Sequence, residues 1–385
     1  MRVAIIVRTL KIGGMERVAI SLAKAFYDEG HDSHLIYFKN KKNTLTVNKE
    51  IKLHHFNLDK IITLSIVGFF WELFSRITNI FLRKSYPLIK GLLSSQIFKI
   101  KLLMLEREYG KFDLIILRGQ GTLEMIYKNN DPRIIMVAEN IFSYGSICSL
   151  LKFQIRAYYE NRNIACVSNG VVQSFQDLEI KEDFRSKKIC KITNPIDTKQ
   201  TQQLADAYIP DYDKRFILSV GRIVPAKNIP LLIKAYAYAR SHYNVTHNLV
   251  IVGEGSELKN VKDTISSLSL ERYVHFTGVL DNPFPWMKKA DLFILSSKFE
   301  GLGMVLLESM ACGTKVVATK SEGGVIDIMN NELENYLAEQ TPQDLAHKIF
   351  TTLNDNSNIN FQTHLNNFLP HSIVSNYIKE FSIVP

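Results

Sequence analysis

Residues 291–319 read DLFILSSKFEGLGMVLLESMACGTKVVAT. An apolar run, a turn holding two glycines, an amphipathic stretch and a second apolar run follow one another. That succession is a strand feeding a helix feeding a strand, the βαβ unit of a parallel sheet. Two carboxylates, Glu300 and Glu308, are set seven residues apart within it. Glu300 stands before the expected helix (305–311) and Glu308 about two turns on. Gly301 and Gly303 let a backbone come close to a ligand where free N–H groups and the positive dipole end favour a diphosphate. Glu308 then suits the two hydroxyls of a ribose, and Glu300 the hydroxyls of a sugar. The plain alternative is two surface glutamates on an ordinary helix.

The same alternation extends outward in both directions. Strands are expected at 216–220, 248–252, 273–277, 291–296 and 315–318, with helices at 230–240, 256–268 and 305–311 between them. In the first half, strands are expected at 2–7, 33–38, 113–117, 133–138, 164–167 and 188–192. The stretch 15–26 puts Val18, Ala19, Leu22, Ala23 and Phe26 on one helical face, and Gly30-His31 ends it. After Asn194-Pro195 the chain turns polar, and 197–215 reads as linker plus a surface helix. The expected class is α/β with two Rossmann-like domains.

Length and composition agree. At 385 residues, 46% apolar and 22% charged, the chain suits two globular domains and excludes disordered and collagen-like classes. Cys148, Cys166, Cys190 and Cys312 are widely spaced without a C-x-x-C pair. A disulfide or zinc framework is therefore not expected, and a reducing compartment fits. The apolar run before Arg8 is too short for a signal peptide and reads as a first buried strand.

The 47 Lys and Arg against 38 Asp and Glu give a formal charge of +9, which invites a polyanionic partner. From Lys60 to Lys111 nine basic residues face three acidic ones, in a segment rich in Ile, Leu and Phe. Within 61–104 the longest uncharged run, 61–71, falls well short of the ~20 residues that span a bilayer. Beyond it, Glu72, Arg76, Arg83, Lys84, Lys90, Lys99 and Lys101 interrupt the apolar residues at intervals suited to amphipathic helices. Phe69, Phe70, Trp71, Phe74 and Phe81 beside that charge suit an anionic membrane surface. The alternative is an inserted helical pair packing on its own domain.

Val220-Gly221-Arg222-Ile-Val-Pro-Ala-Lys227-Asn228 follows the strand FILSV. An Arg and a Lys five residues apart on such a loop form a clamp for a pyrophosphate, or else are solvated cations. Gly13-Gly14 after the first strand can admit a substrate or make a plain βα turn. Neither this pair nor Gly253-Glu254-Gly255 is G-x-G-x-x-G, so an NAD fingerprint is missing.

Together these motifs resemble glycosyltransferase family 4, a retaining family with the GT-B fold. The resemblance takes in GGMERV (13–18), Gly30-His31, Thr193-Asn194-Pro195-Ile196-Asp197 and VGRIVPAKN (220–228). It continues through IVGEGSEL, VHFTGVL, the two spaced glutamates and Val317-Ala318-Thr319 leading to Glu322-Gly323-Gly324. It implies two domains facing each other across a cleft. Residues 1–195 would bind the acceptor, joined by a closing helix within 366–385, and 196–365 would bind the nucleotide-sugar.

By the same resemblance Arg222 and Lys227 bind the donor diphosphate, Glu308 the ribose and Glu300 the transferred sugar. Gly221 and the backbone of Gly301, Leu302, Gly303, Met304 and Val305 support them, Val279 borders the base, and Gly13 and Gly14 face phosphate and acceptor. Arg222, Lys227 and Glu300 are the expected catalytic residues. No bound metal or other cofactor is expected, since the cations replace it. Many members carry a His just after the strand 133–138, where this chain has Glu139 and Asn140. Glu139 can bind a hydroxyl or accept a proton, or can be a helix cap or core polar contact.

The implied reaction is hexosyl transfer from a UDP-sugar to a lipid-linked or lipopolysaccharide-type glycan, on the cytoplasmic face of a bacterial plasma membrane. Alternatives are a sugar-nucleotide epimerase on the same fold and a non-enzymatic polyanion- or membrane-binding protein. No nucleic-acid motif accompanies the charge.

Overall fold

The computed structural model describes residues 1–11, 13–39, 45–142, 149–357 and 359–381. Cys148 and residues 382–385 of the expected closing segment lie outside these. The chain divides into two compact units. Unit 1 is Met1–Val167, Val171–Pro195 and Pro370–Pro385; unit 2 is Ser168–Gly170 and Ile196–Leu369.

In unit 1 the described strands are β1 (Arg2–Thr9), β2 (Asp32–Lys39), β3 (Lys52–His55), β4 (Leu114–Arg118), β5 (Ile134–Ala138), β6 (Asn163–Cys166) and β7 (Lys188–Lys191). They form one parallel sheet in the order β3-β2-β1-β4-β5-β6-β7. β4 and β5 are buried on both faces, which is why they read as unbroken apolar runs rather than alternating ones. Helix α1 (Gly14–Asp28) buries the expected stripe of Val18, Ala19, Leu22, Ala23 and Phe26. The closing helix Pro370–Phe381 packs on α1 through Tyr377 against Phe26, their ring centroids 6.1 Å apart. Glu380 pairs with Lys188 at 2.8 Å on the same unit.

Strand β3 escaped the sequence reading because it is short and half exposed. Parallel pairing with β2 holds it, and His54 stacks on the buried His34 with a 2.9 Å contact between ring nitrogens. His54 and His55 are therefore sheet-edge residues.

Between β3 and β4 run α2 (Leu58–Leu64), α3 (Ile66–Phe81) and α4 (Tyr86–Tyr109). Helix α3 is amphipathic with its polar side inward: it buries Gly68, Glu72 and Ser75. Glu72 accepts from Tyr86 at 2.7 Å and pairs with Arg76 at 2.9 Å and Lys90 at 3.3 Å. Ile66, Val67, Phe70, Ile80 and Phe81 are all more than three-fifths exposed. The segment thus packs on its own unit by one face and presents a broad apolar face beside Arg83 and Lys84. No single described helix is long and apolar enough to cross a membrane, and α2 and α3 bend by 104°.

Unit 2 repeats the architecture. β8 (Phe216–Val220), β9 (Asn248–Val252), β10 (Val274–Gly278), β11 (Leu292–Leu295), β13 (Val316–Thr319) and β15 (Leu337–Ala338) pair in parallel in the order β10-β9-β8-β11-β13-β15. Two further strands, β12 (Phe299–Glu300) and β14 (Glu322–Gly323), pair with each other. β12, β14 and β15 are two residues long, too short to leave a period in the sequence. The core is the apolar side of the sheet under the helices Ile229–Tyr243 and Pro342–Asn354, with Tyr236, Leu249, Val317 and Leu345 fully buried.

Candidate functional site

The stretch that decided the fold folds as a strand, a two-residue strand and a helix. Glu300 ends β12, Gly303 caps the helix Met304–Ala311 with φ +97°, and Glu308 lies in that helix. The helix begins one residue earlier than the expected 305, and Glu308 lies about one turn inside it. No side chain caps the N-terminus, so its first N–H groups are available to an anion. Glycine at the cap reflects the left-handed backbone that turns the chain into the helix.

The second motif comes to the same place. After β8 the chain passes through Gly221 and Arg222 into a single turn of 3-10 helix, Pro225–Lys227. The segment after β11 fastens that turn: Ser296 Oγ donates to Lys227 O at 2.9 Å, and Lys298 N donates to Ala226 O at 2.8 Å. Lys227 Nζ forms an ion pair with Glu300 Oε1, and Ser297 Oγ donates to the same oxygen at 2.5 Å. Arg222 is exposed, and with Lys227, Gly221, Ser296 and Ser297 it lines one narrow crevice. Lys227 on the crevice thus meets Glu300, which lies four residues before the first residue of the helix Met304–Ala311.

Gly253 and Gly255 owe their place to this loop. A Cβ on Gly253 would stand 2.0 Å from Gly221 O, and one on Gly255 would stand 2.1 Å from Ile223 O. The two glycines let main chain lie on main chain, and Gly221 N donates to Val252 O at 3.0 Å. Val279, exposed, follows Gly278, whose carbonyl accepts from Gly253 N at 2.8 Å.

A larger cavity of unit 2, 410 Å³, lies at the far end of the helix Met304–Ala311, against Gln202, Lys288, Cys312 and Phe361. Its thiol is pushed up to about 12 by burial, with Glu308 acting in the same direction. That makes Cys312 a poor nucleophile.

In unit 1, Gly13 caps α1 with extended backbone (φ −175°), and Thr9 Oγ1 donates to Glu16 Oε1 at 3.0 Å beside it. Gly14 has open space where a side chain would be. Glu139 and Asn140 follow β5 and line a pocket of 400 Å³ with Gln120, Met15, Phe142 and Tyr159. Glu139 meets a partner the sequence reading missed: the fully buried Arg118 at the end of β4, 2.5 Å away. Asn194 was read only as part of the motif at the domain junction, and Ser296, Ser297 and Arg118 were likewise not singled out. The available signal was the one charge closing the apolar run LIILR. Among the described residues no group of three or more His, Cys, Asp or Glu is placed to hold a metal ion.

Residues 201–367 match the family of glycosyl transferases group 1. The matched region holds Arg222, Lys227, Glu300 and Glu308. Over 221 residues the chain is 39% identical to an N-acetylgalactosamine-N,N'-diacetylbacillosaminyl-diphospho-undecaprenol 4-alpha-N-acetylgalactosaminyltransferase of Campylobacter jejuni subsp. jejuni, covering 57% of each chain. It is 32% identical over 173 residues to the lipopolysaccharide core biosynthesis glycosyltransferase LpsE of Rhizobium meliloti, covering 43% of this chain and 47% of that one. The chain therefore spans about half the length of these relatives. A TarM variant of S. aureus, solved with fondaparinux, alpha-GlcNAc-glycerol and UDP, superposes with a TM-score of 0.65 at 16% identity, covering 99% of this chain and 97% of that one. The fold is GT-B.

Proposed function

We propose that the chain is a retaining glycosyltransferase of the family 4 type, moving a hexosyl group from a UDP-sugar to a lipid-linked or lipopolysaccharide-type glycan. The observation that carries this reading is the Lys227–Glu300 pair beside the uncapped N-terminus of the helix Met304–Ala311. The ammonium and the exposed Arg222 supply positive charge for a departing diphosphate, in place of a metal ion. The helix N–H groups add to it, and preformed charge of this kind needs no reorganisation as the glycosidic bond breaks. Glu300, oriented by Lys227 and Ser297, accepts hydrogen bonds from hydroxyls of the transferred sugar. Glu308 takes the ribose, and Val279 borders the base. The leaving diphosphate accepts the acceptor's proton on the face it vacates, so configuration is kept.

The UDP in the TarM structure supports the donor choice. The diphospho-undecaprenol in the Campylobacter relative's name supports a lipid-linked acceptor. The outward apolar face of α3, with Arg83 and Lys84 at its end, supports attachment to an anionic membrane, on the cytoplasmic side. On unit 1, Gly13 and Gly14 leave room for a substrate at the start of α1, and Glu139 and Asn140 contact the acceptor.

The test is turnover of a UDP-hexose panel with and without a lipid-linked glycan acceptor, with the product's anomeric coupling read by NMR. Acceptor-dependent UDP release with the donor's anomeric configuration kept is expected. Release without acceptor would favour an epimerase, and inversion would remove the retaining assignment.

A further inference from the structure

Arg118 is fully buried at the last position of β4. Its Nη2 donates to Asn194 Oδ1 at 2.8 Å and stands 2.5 Å from Glu139 Oε1. Nε and Nη1 have no hydrogen-bond partner among the described residues. The register pairs Arg118 with Val137, two positions before Glu139. Strand periodicity therefore puts guanidinium and carboxylate on one side of the sheet. A buried ion pair stabilises little more than apolar residues of the same volume, while one left half-paired costs several kcal/mol. Stability alone does not call for an arginine here.

Glu139 has a second task open to it. Its side chain keeps 16% exposure and the residue lines the 400 Å³ pocket. The walls there are Met15, Leu123 and Phe142, with Gln120, Glu139 and Asn140 as polar groups. An apolar wall facing a carboxylate and two amides suits a pyranose, which offers a C–H face and a ring of hydroxyls.

We propose that Arg118 is a positioning residue: by holding Glu139 and Asn194 it fixes the carboxylate that accepts a hydrogen bond from an acceptor-sugar hydroxyl in the unit 1 pocket. The proposal rests on the transferase reading for what the bound sugar is, and on unit 1 alone for where it binds. A carboxylate that must meet one hydroxyl needs its rotamer set beforehand, and a fully buried guanidinium whose Nη2 reaches both Asn194 and Glu139 sets it.

The test uses the full chain and a panel of n-octyl hexosides and N-acetylhexosaminides, their binding read by saturation-transfer NMR. In parallel, UDP binding is read by calorimetry, and UDP-hexose turnover by UDP release. Glu139→Gln is expected to weaken glycoside binding about tenfold or more, the scale of a hydrogen bond to a charged group. Arg118→Met should weaken it similarly while UDP binding stays unchanged, and Arg118→Lys should recover part of the loss. Because Arg118→Met alone strands a buried carboxylate, Arg118→Met/Glu139→Leu provides a charge-free partner that restores folding and still binds glycoside poorly.

Wild-type binding of glycosides by the double variant would make the pair purely structural and overturn the proposal. So would a wild type that binds no glycoside of the panel. Glycoside binding that depends on Arg118 in a protein that turns over no UDP-sugar would keep the site and remove the transferase reading. Turnover that ignores both residues would do the reverse.

Discussion

In unit 2 the candidate site hangs on main chain laid against main chain. In unit 1 it hangs on a buried ion pair. Gly253 sits under Gly221 so closely that no side chain fits, and the loop so fixed carries Arg222 and Lys227 to Glu300. Glu139 is held instead by Arg118, a fully buried side chain reaching it from the neighbouring strand. Both units are parallel sheets under helices, so the difference is not one of fold. Backbone constraints leave glycines at fixed spacing, whereas side-chain constraints leave residues with no spacing at all.

The largest expected break of this comparison is Lys227→Ala. Removing a charge aimed at a departing diphosphate should lower kcat about 10²–10³-fold. Steady-state turnover near the wild-type rate would sink the donor assignment in unit 2.

Acid should act on unit 1 through His34. Burial, outweighing the nearby Asp32, lowers it from 6.5 to about 4, and burial lowers His54 in the same direction. A histidine depressed in the fold stays neutral there while the unfolded chain binds protons. The stability it carries is complete above pH 6.5 and is lost as pH falls towards 4, about 3 kcal/mol at most. Burial raises Asp32, but hydrogen bonds from Lys52 and Arg2 outweigh it and leave it lowered, so its contribution also falls with acid. Denaturant melts of the full chain from pH 7 to 4 should show this loss. A flat profile would remove the histidine pair from the account.

Gly253→Ala puts a methyl group 2.0 Å from Gly221 O on a backbone with φ +139°. It should cost about 1–3 kcal/mol of stability and weaken UDP binding by displacing the loop. Unchanged melting and unchanged UDP affinity would show that the loop does not depend on this contact. The smallest effect concerns the outward face of α3. Arg83→Gln should weaken sedimentation with phosphatidylglycerol vesicles by about 1 kcal/mol, and less at high salt. Equal binding to neutral and anionic vesicles would mean that charge plays no part.

The contrast also explains what was legible beforehand. The strand and helix alternation follows from period, and element limits moved by only a few residues. The closing helix and the meeting of 220–228 with 300–308 follow from the family resemblance, not from period or spacing. β3 did not show because Lys52–His55 is held by a histidine contact from β2, which no local pattern announces. The outward apolar face of α3 is one of two readings left open by the sequence, the other being packing on its own unit. An amphipathic period states that a helix has two faces, and the Glu72–Lys90–Tyr86 network decides which turns inward. Arg118 stood in plain view as the end of an apolar strand, but its meaning depends on Glu139, which lies on the next strand.

The most direct test of the central claim is calorimetry of UDP against wild type, Glu308→Ala and Lys227→Ala. The account predicts saturable one-to-one binding by the wild type, weakened about tenfold or more by either substitution while the melting profile holds. Wild-type affinity in both variants, or no UDP binding by the folded wild type, would contradict a uridine diphosphate site built from Lys227 and the helix that carries Glu308.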